Sequence, residues 1–254
     1  TYIYVIINKE VISMYEENNF YQTNSTNNEK SAVSEKTLNI SLAFSKMFLW
    51  MFLGLIVTFG IAFLSSFSLE TLILSLSWPI VIIVGIIQII ICFSISKQAL
   101  VKLNKNVALI LFLIYSALNG FLFGSIFVIL NAKTFVLAFG LTAGLFLFMG
   151  LFGLIFKNAA RKLQTFAYVG LVFLLIASLI SFFVTQDWLI TAISALGIIV
   201  FSIITMVDMR FIVDMMNNSS NPDSVSIYGA FVLYLDFINI FLYIVRIILS
   251  SRKN

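Results

Sequence analysis

The sequence YGAFVLYLDFINIFLYIVRIIL, residues 228–249, is an apolar run long enough to cross a lipid bilayer as one helix. It carries a single carboxylate, Asp236, near its middle. An acid at this depth costs roughly 2.5–3.5 kcal/mol on insertion scales, so it indicates a functional site. Asn239 and Tyr243 follow three and seven residues later, which places them on the same helical face. This polar face is predicted to contact other protein or water, not lipid.

The composition indicates an integral membrane protein. The chain has 254 residues, of which 61% are hydrophobic and 10% charged, whereas a soluble domain carries about 25% charged residues. Barrel strands alternate apolar and polar residues, whereas these runs are apolar at successive positions, so they predict helices. The net charge of +4 sits in loops beside these runs and is not a nucleic-acid signal.

The residues that are missing exclude several kinds of chemistry. The chain has no histidine and one cysteine, Cys92, so an intramolecular disulfide, histidine-based catalysis and Cys/His metal clusters are all excluded. A pH response near neutrality must therefore come from perturbed carboxylates or lysines. We expect no enzymatic activity and no resident cofactor.

The chain divides into a polar tail and a membrane domain. Residues 16–36 are rich in Asn, Ser and Thr and have no apolar periodicity, so residues 1–40 are predicted to be a disordered tail, and Met14 is the expected translation start. Residues 41–254 are predicted to form an all-α bundle of seven transmembrane helices. The seven apolar segments are 44–67, 72–95, 107–130, 134–156, 164–184, 188–213 and 227–249. The second segment contains Pro79, so it either begins late or kinks there.

Basic residues in the short loops predict the orientation of the bundle. They are Lys30 and Lys36 before the first segment with Lys46 at its start, Lys97, Lys102 and Lys105 after the second, and Lys157, Arg161 and Lys162 after the fourth. Since Lys and Arg favour the cytoplasm, the N-terminus is predicted to be cytoplasmic in a multi-pass protein of the cell membrane. Seven crossings place Arg252 and Lys253 outside, and a re-entrant last segment is the alternative.

Two acids lie inside apolar segments: Asp208 in the sixth and Asp236 in the seventh. A short loop joins these segments, which favours antiparallel neighbours, so both acids are predicted to meet in the cytoplasmic half of the bundle. Two carboxylates held close in a low-dielectric site do not both ionise readily, and they titrate as a unit. Lys97 is predicted to lie at a similar depth to Asp208, where it could act as a latch that protonation weakens.

Several motifs resemble the Bax inhibitor-1 (transmembrane Bax inhibitor motif) family in its bacterial seven-helix form. They are LYLDFIN at 233–239, MVDMRFI at 206–212, LFLIYSALNGFLFG at 111–124 and the pair Thr142-Ala143. The resemblance covers roughly residues 40–250. It implies a pH-dependent calcium leak, with Asp208 and Asp236 on the family's paired-aspartate positions.

The sequence departs from the family pattern at three places. The family's basic latch position is usually Arg, and here either Lys97 or Lys102 is its counterpart. Gly124-Ser125 replaces a glycine–proline pair, and the loop KNAARK at 157–162 lacks the usual acid.

The predicted function is a cation leak, with Ca²⁺ as the expected ion, gated by protonation of Asp208 and Asp236. Calcium prefers several oxygen ligands, so these two carboxylates with Asn239 predict transient coordination rather than a tight site. The expected partners are the bilayer, calcium ions, protons and a possible membrane protein, but no nucleic acid.

Three alternatives stay open. In the first, Asp236 and Asn239 only hold the helices together by hydrogen bonds between helices. A non-conducting regulator of proteases or cell-death factors is the second alternative. An intramembrane aspartyl protease is the third, although Leu233, Tyr234 and Leu235 stand where that class has a glycine-containing motif.

Overall fold

The computed structural model describes residues 2–95, 105–183, 186–219 and 221–251. Side chains are described from residue 34 onward, except at 182 and 183. Every regular element in these ranges is a helix, which confirms the all-α prediction. The helices are α1 Tyr2–Ser65, α2 Leu69–Leu76, α3 Trp78–Ile95, α4 Lys105–Ile129, α5 Ala132–Ile155, α6 Lys157–Phe183, α7 Asp187–Asn218 and α8 Pro222–Ser250.

Among the described residues, seven helices are long and apolar enough to cross a membrane. They are Ser34–Ser65 within α1, all of α3, α4 and α5, Lys157–Ser181 within α6, and all of α7 and α8. The protein is therefore a multi-pass membrane protein with seven apolar spans, as predicted.

The chain falls into two compact units, Thr1–Leu42 and Ala43–Asn254. The backbone of α1 is helical from Tyr2, but the side chains of residues 1–33 lie outside the described part. The disordered tail over residues 1–40 stays a prediction. The second unit contains the packed bundle and the candidate site.

The second predicted segment is divided at Ser77. Ser77 is extended and ends α2, and α3 then begins at Trp78 with Pro79 in its first turn. Proline is tolerated there because the first turn of a helix has no intrahelical partner for its N–H groups. Of the two expected outcomes, a late helix start or a kink at Pro79, the structure shows the late start.

Helices α7 and α8 form the centre of the bundle and contribute more buried side chains than any other helix in the described residues. They run antiparallel, since the short connection 219–221 joins them at one end. At the other end Thr191 Oγ1 and Ser250 Oγ lie 2.8 Å apart. Helix α8 is therefore continuous and matches α7 along its length, which favours a full crossing over a re-entrant segment.

Glycines allow the helices to approach closely at particular points. A Cβ on Gly120 would lie 2.5 Å from the carbonyl oxygen of Thr58, and one on Gly153 would collide with the backbone of Met206. Both glycines therefore allow close packing between helices. Gly144 instead has open space around it, because it faces away from the bundle.

Phenylalanine rings fill the contact between α1, α5 and α8. The Phe59 ring lies 5.2 Å from Phe241, 5.4 Å from Phe135 and 5.6 Å from Phe139, each edge to face. Edge-to-face pairs place the positive ring edge on the negative ring face, which adds specificity to apolar burial. These phenylalanines are internal, in contrast to the lipid-facing ones on α6.

Ion pairs lie at the end of the bundle where α7 meets α8. Lys46 Nζ donates to both oxygens of Asp223, at 2.8 and 3.0 Å, and so joins α1 to the start of α8. Asp214 accepts hydrogen bonds from the Arg210 guanidinium and, at 3.5 Å, from Arg161 on α6. We call this the charged end of the bundle.

Candidate functional site

Asp236 is buried in the centre of the bundle, with 3% of its surface exposed. Its neighbours on α8, including Leu233, Phe237 and Ile240, are buried as well, so the acid lies on an internal face and not against lipid. The predicted orientation of this polar face is confirmed for the acid. Among the described residues, Asp236 Oδ2 has no hydrogen-bond partner. A buried polar atom without a partner is unusual in a folded protein and is costly.

Asp208 faces this carboxyl from α7. It is partly buried, and it lies close enough to Asp236 for the two charges to interact. Thr205, one helical turn before Asp208, is fully buried, and its side chain lies beside the Asp236 carboxyl. The structure thus brings together the two acids that the sequence singled out, with the Thr205 side chain beside Asp236.

The nearest arginine does not neutralise the pair. Arg210 is two residues beyond Asp208, but its guanidinium forms a two-point ion pair with Asp214. Residues two apart point to opposite sides of a helix, so Arg210 and Asp208 leave α7 in different directions. The bidentate pair fixes the arginine at the charged end.

Asn239 does not bind the acid directly. It is partly buried, and its Nδ2 donates to the carbonyl oxygen of Leu235 at 2.7 Å, one turn back on α8. Tyr243 lies on the same face, as predicted, because its ring packs against Gly197 and Phe201 of α7. Asn239 is therefore within the polar face, with its amide nitrogen bound to the backbone.

The proposed latch residues Lys97 and Lys102 lie outside the described residues, since 96–104 are not described. The same holds for Arg252 and Lys253 at the C-terminus. The latch therefore stays a prediction.

The acid pair offers few ligands for a metal. Within the described part of the chain, no third acid or cysteine converges with Asp208 and Asp236. A calcium ion takes six to eight oxygen ligands when it is held tightly. Two carboxylates and one hydroxyl fit a brief, partly hydrated contact better than a storage site.

A second set of polar side chains crosses the bundle, and we call it the polar chain: Gln88, Asn119, Tyr234 and Thr58. Gln88 Nε2 donates to Asn119 Oδ1 at 3.0 Å, and Asn119 Nδ2 donates to the Tyr234 hydroxyl at 3.0 Å. The Tyr234 hydroxyl lies 2.7 Å from Thr58 Oγ1. Sequence reasoning missed this set because it followed charged residues. The available signal was the two amides, Gln88 and Asn119, inside apolar segments.

Comparison with known proteins identifies the family. Residues 41–254 match the family described as Inhibitor of apoptosis-promoting Bax1. The chain belongs to the Bax inhibitor-1 family. The match covers the whole bundle, so the resemblance carried by the last-helix motif extends to all seven spans.

Relatives in three bacteria are similar over most of their length. An uncharacterized protein of Borreliella burgdorferi is 34% identical over 83% of this chain and 92% of its own. The inner membrane protein YbhL of Escherichia coli is 33% identical over 80% of this chain and 89% of its own. An uncharacterized protein of Deinococcus radiodurans is 30% identical over 84% of this chain and 93% of its own. The name of YbhL places that protein in the inner membrane, and none of the three names assigns an activity.

Proposed function

We propose that this Bax inhibitor-1 family protein is a pH-sensitive cation leak of the cell membrane that passes Ca²⁺. The observation that carries the proposal is the buried Asp236 carboxyl, whose Oδ2 has no partner among the described residues and which faces a second acid, Asp208. A structural ion pair would bring a counter-charge to such a carboxyl. Two acids that have no counter-charge among the described residues are instead suited to share a proton and to release it when a cation passes.

The packing around the pair supports a gate rather than a permanently open pore. Thr205, Phe237 and Ile240 are all buried beside the acids, so ordinary bundle packing closes the route at that depth. Acidification neutralises the pair and weakens the predicted latch to Lys97. Flux is therefore expected to rise as the pH falls. The role requires no bond-making chemistry.

The test is Ca²⁺ flux into vesicles that contain the purified protein and an internal calcium dye. The wild-type flux is expected to rise between about pH 8 and about pH 5, the range in which physiological proton switches act. Asp208→Asn removes one ionisable member of the pair, so its flux is expected to lose this dependence.

Asp223→Asn is the matched control, because Asp223 is also an acid of the α7–α8 region but pairs with Lys46 at the charged end. It is expected to keep the wild-type pH profile. Flux equal to that of protein-free vesicles at every pH contradicts the leak. A pH profile unchanged in Asp208→Asn contradicts the sensor, and cleavage of a transmembrane peptide favours the protease alternative.

A further inference from the structure

The polar chain links four helices of the bundle. Gln88 belongs to α3, Asn119 to α4, Tyr234 to α8 and Thr58 to α1. Thr58 and Tyr234 are fully buried, and Asn119 is 8% exposed. Gln88 shares the inward stripe of α3 with three buried apolar residues: Val84, Ile91 and Ile95. A series of this kind, at membrane depth, holds helices in one relative arrangement because the alternative is an unpaired polar group in hydrocarbon.

Each hydrogen bond in the polar chain has a defined donor and acceptor. Thr58 Oγ1 donates to backbone carbonyl oxygens, at 2.9 Å to Ser116 and 3.0 Å to Gly54. Since a carbonyl can only accept and a hydroxyl has one hydrogen, Tyr234 must donate to Thr58. The Tyr234 oxygen then accepts from Asn119, whose own oxygen accepts from Gln88. The Tyr234 hydroxyl thus makes one bond as donor and one as acceptor.

Tyr234 and Asp236 occupy opposite faces of α8. They are two residues apart, which is about 200° around a helix. The Tyr234 hydroxyl binds α1 and α4, and its ring lies 5.3 Å from Phe112 of α4. The Asp236 carboxyl instead faces Thr205 and Asp208 of α7. The hydrogen bonds of Tyr234 on one face of α8 therefore also fix the direction in which the Asp236 carboxyl points on the other face.

We propose that the polar chain is a positioning device, in which the Tyr234 hydroxyl sets the rotation of α8 about its axis and so the approach of the Asp236 carboxyl to Asp208. Tyr234 acts through Asp236 and touches no ion. The inference rests on the proposed sharing of a proton by the acid pair, but it makes a claim about titration that does not require flux.

The titratable groups around the pair come from several helices. On α8 itself Tyr228 lies within electrostatic range of Asp208, of Tyr168 on α6 and of Cys92 on α3. Helix α4 contributes Tyr115, beside the Tyr234 ring. On α1, Lys46 binds Asp223 at the charged end of the bundle. Helix α5 presents Phe139 and Phe146 to Phe237. Asp208 is thus the one carboxylate among the groups named here that faces Asp236.

The experiment is the infrared titration of the buried carboxyl band in lipid-reconstituted protein, with Asp236→Asn used to assign the band. Tyr234→Phe keeps the ring and removes the hydroxyl. Its titration midpoint is expected to move by about 0.5–1 pH unit, the scale of one lost hydrogen bond. The shift is expected toward the midpoint of Asp208→Asn, in which the facing charge is gone.

A combined variant separates positioning from general damage. If Tyr234 acts by setting the distance between two acids, Tyr234→Phe is expected to cause no further shift in the Asp208→Asn background. A shift of equal size in both backgrounds overturns the proposal. So does a wild-type midpoint in Tyr234→Phe.

Tyr243→Phe is the matched control, because it makes the same change on the same helix in a ring that packs on Gly197. It is expected to leave the midpoint unchanged, and an equal shift there overturns the proposal. If Tyr234→Phe does not fold, Gln88→Leu cuts the chain at its outer end and is expected to cause a smaller shift in the same direction. Absent Ca²⁺ flux with an intact midpoint shift contradicts the leak alone.

Discussion

Thr191 on α7 and Ser250 on α8 hold their hydroxyl oxygens 2.8 Å apart, at the opposite end of this helix pair from Asp214 and Asp223. The two helices are therefore in register from one end to the other. Asp208 and Asp236 lie between these ends, in the most buried part of the bundle. The two acids meet because α7 and α8, the helices with the most buried residues among those described, are aligned along their length.

The register of α7 and α8 leads to a prediction about topology. A helix as long as Pro222–Ser250 extends about 1.5 Å per residue and is long enough for a full crossing. In a Cys92→Ser background, Ser251→Cys is expected to react with an impermeant maleimide on intact cells. Glu70 lies between the first two spans, which is outside if the N-terminus is cytoplasmic, so Glu70→Cys is the positive control. Asn158→Cys is expected to react only after permeabilisation. Reaction of Ser251→Cys only after permeabilisation contradicts seven crossings.

The buried Asp236 carboxyl is predicted to lower the stability of the protein while it serves the pH response. Asp236→Leu removes a buried carboxyl oxygen that has no hydrogen-bond partner in the described part of the chain, and such an unsatisfied group costs about 1–3 kcal/mol. The variant is therefore expected to unfold at a higher temperature than wild type in detergent, while its flux loses pH dependence. Asp223→Leu, at an exposed ion pair, is expected to give no such gain. A fall in unfolding temperature for Asp236→Leu indicates that the acid has a stabilising partner.

Glycine contacts predict opposite effects of one substitution within α5. Gly153→Ala places a Cβ against the Met206 backbone, so it is expected to lower the free energy of unfolding by about 1–3 kcal/mol. Gly144→Ala meets open space and gains helix propensity, so it is expected to be neutral or stabilising by up to about 1 kcal/mol. Chemical unfolding in lipid micelles measures both. Equal effects at the two positions contradict the close α5–α7 contact.

The Lys46–Asp223 pair predicts a small coupling that depends on salt. Both side chains are nearly half exposed, so water screens their attraction. A double-mutant cycle of Lys46→Gln and Asp223→Asn is expected to give about 0.2–1 kcal/mol in low salt. The coupling is expected to vanish near 1 M salt, where the Debye length is about 3 Å. A coupling that salt does not reduce contradicts an exposed pair.

Much of this architecture could be predicted from the chain alone. Runs such as 228–249 are apolar for the length that a bilayer requires, and a helix is the structure that satisfies its backbone within such a run. The burial of Asp236 followed from its cost in lipid, and the proximity of Asp208 followed from the short connection between their helices. These predictions rest on local length and composition, which need no knowledge of packing.

Other features were decided by packing. Gly144 and Gly153 look equivalent in sequence, yet one faces open space and the other meets Met206, because the rotation of α5 depends on all its neighbours. The amide of Asn239 binds its own helix and not the acid. The polar chain joins residues up to 176 positions apart, as in the Thr58–Tyr234 contact.

The sequence by itself thus determined that seven apolar helices cross the membrane and that two of them carry acids, since transfer into lipid depends on each segment alone. The tertiary structure decided which faces meet and which polar atoms find partners. Hydrogen bonds and close contacts between helices depend on rotations and distances of a few ångströms, and those are set jointly by the whole bundle.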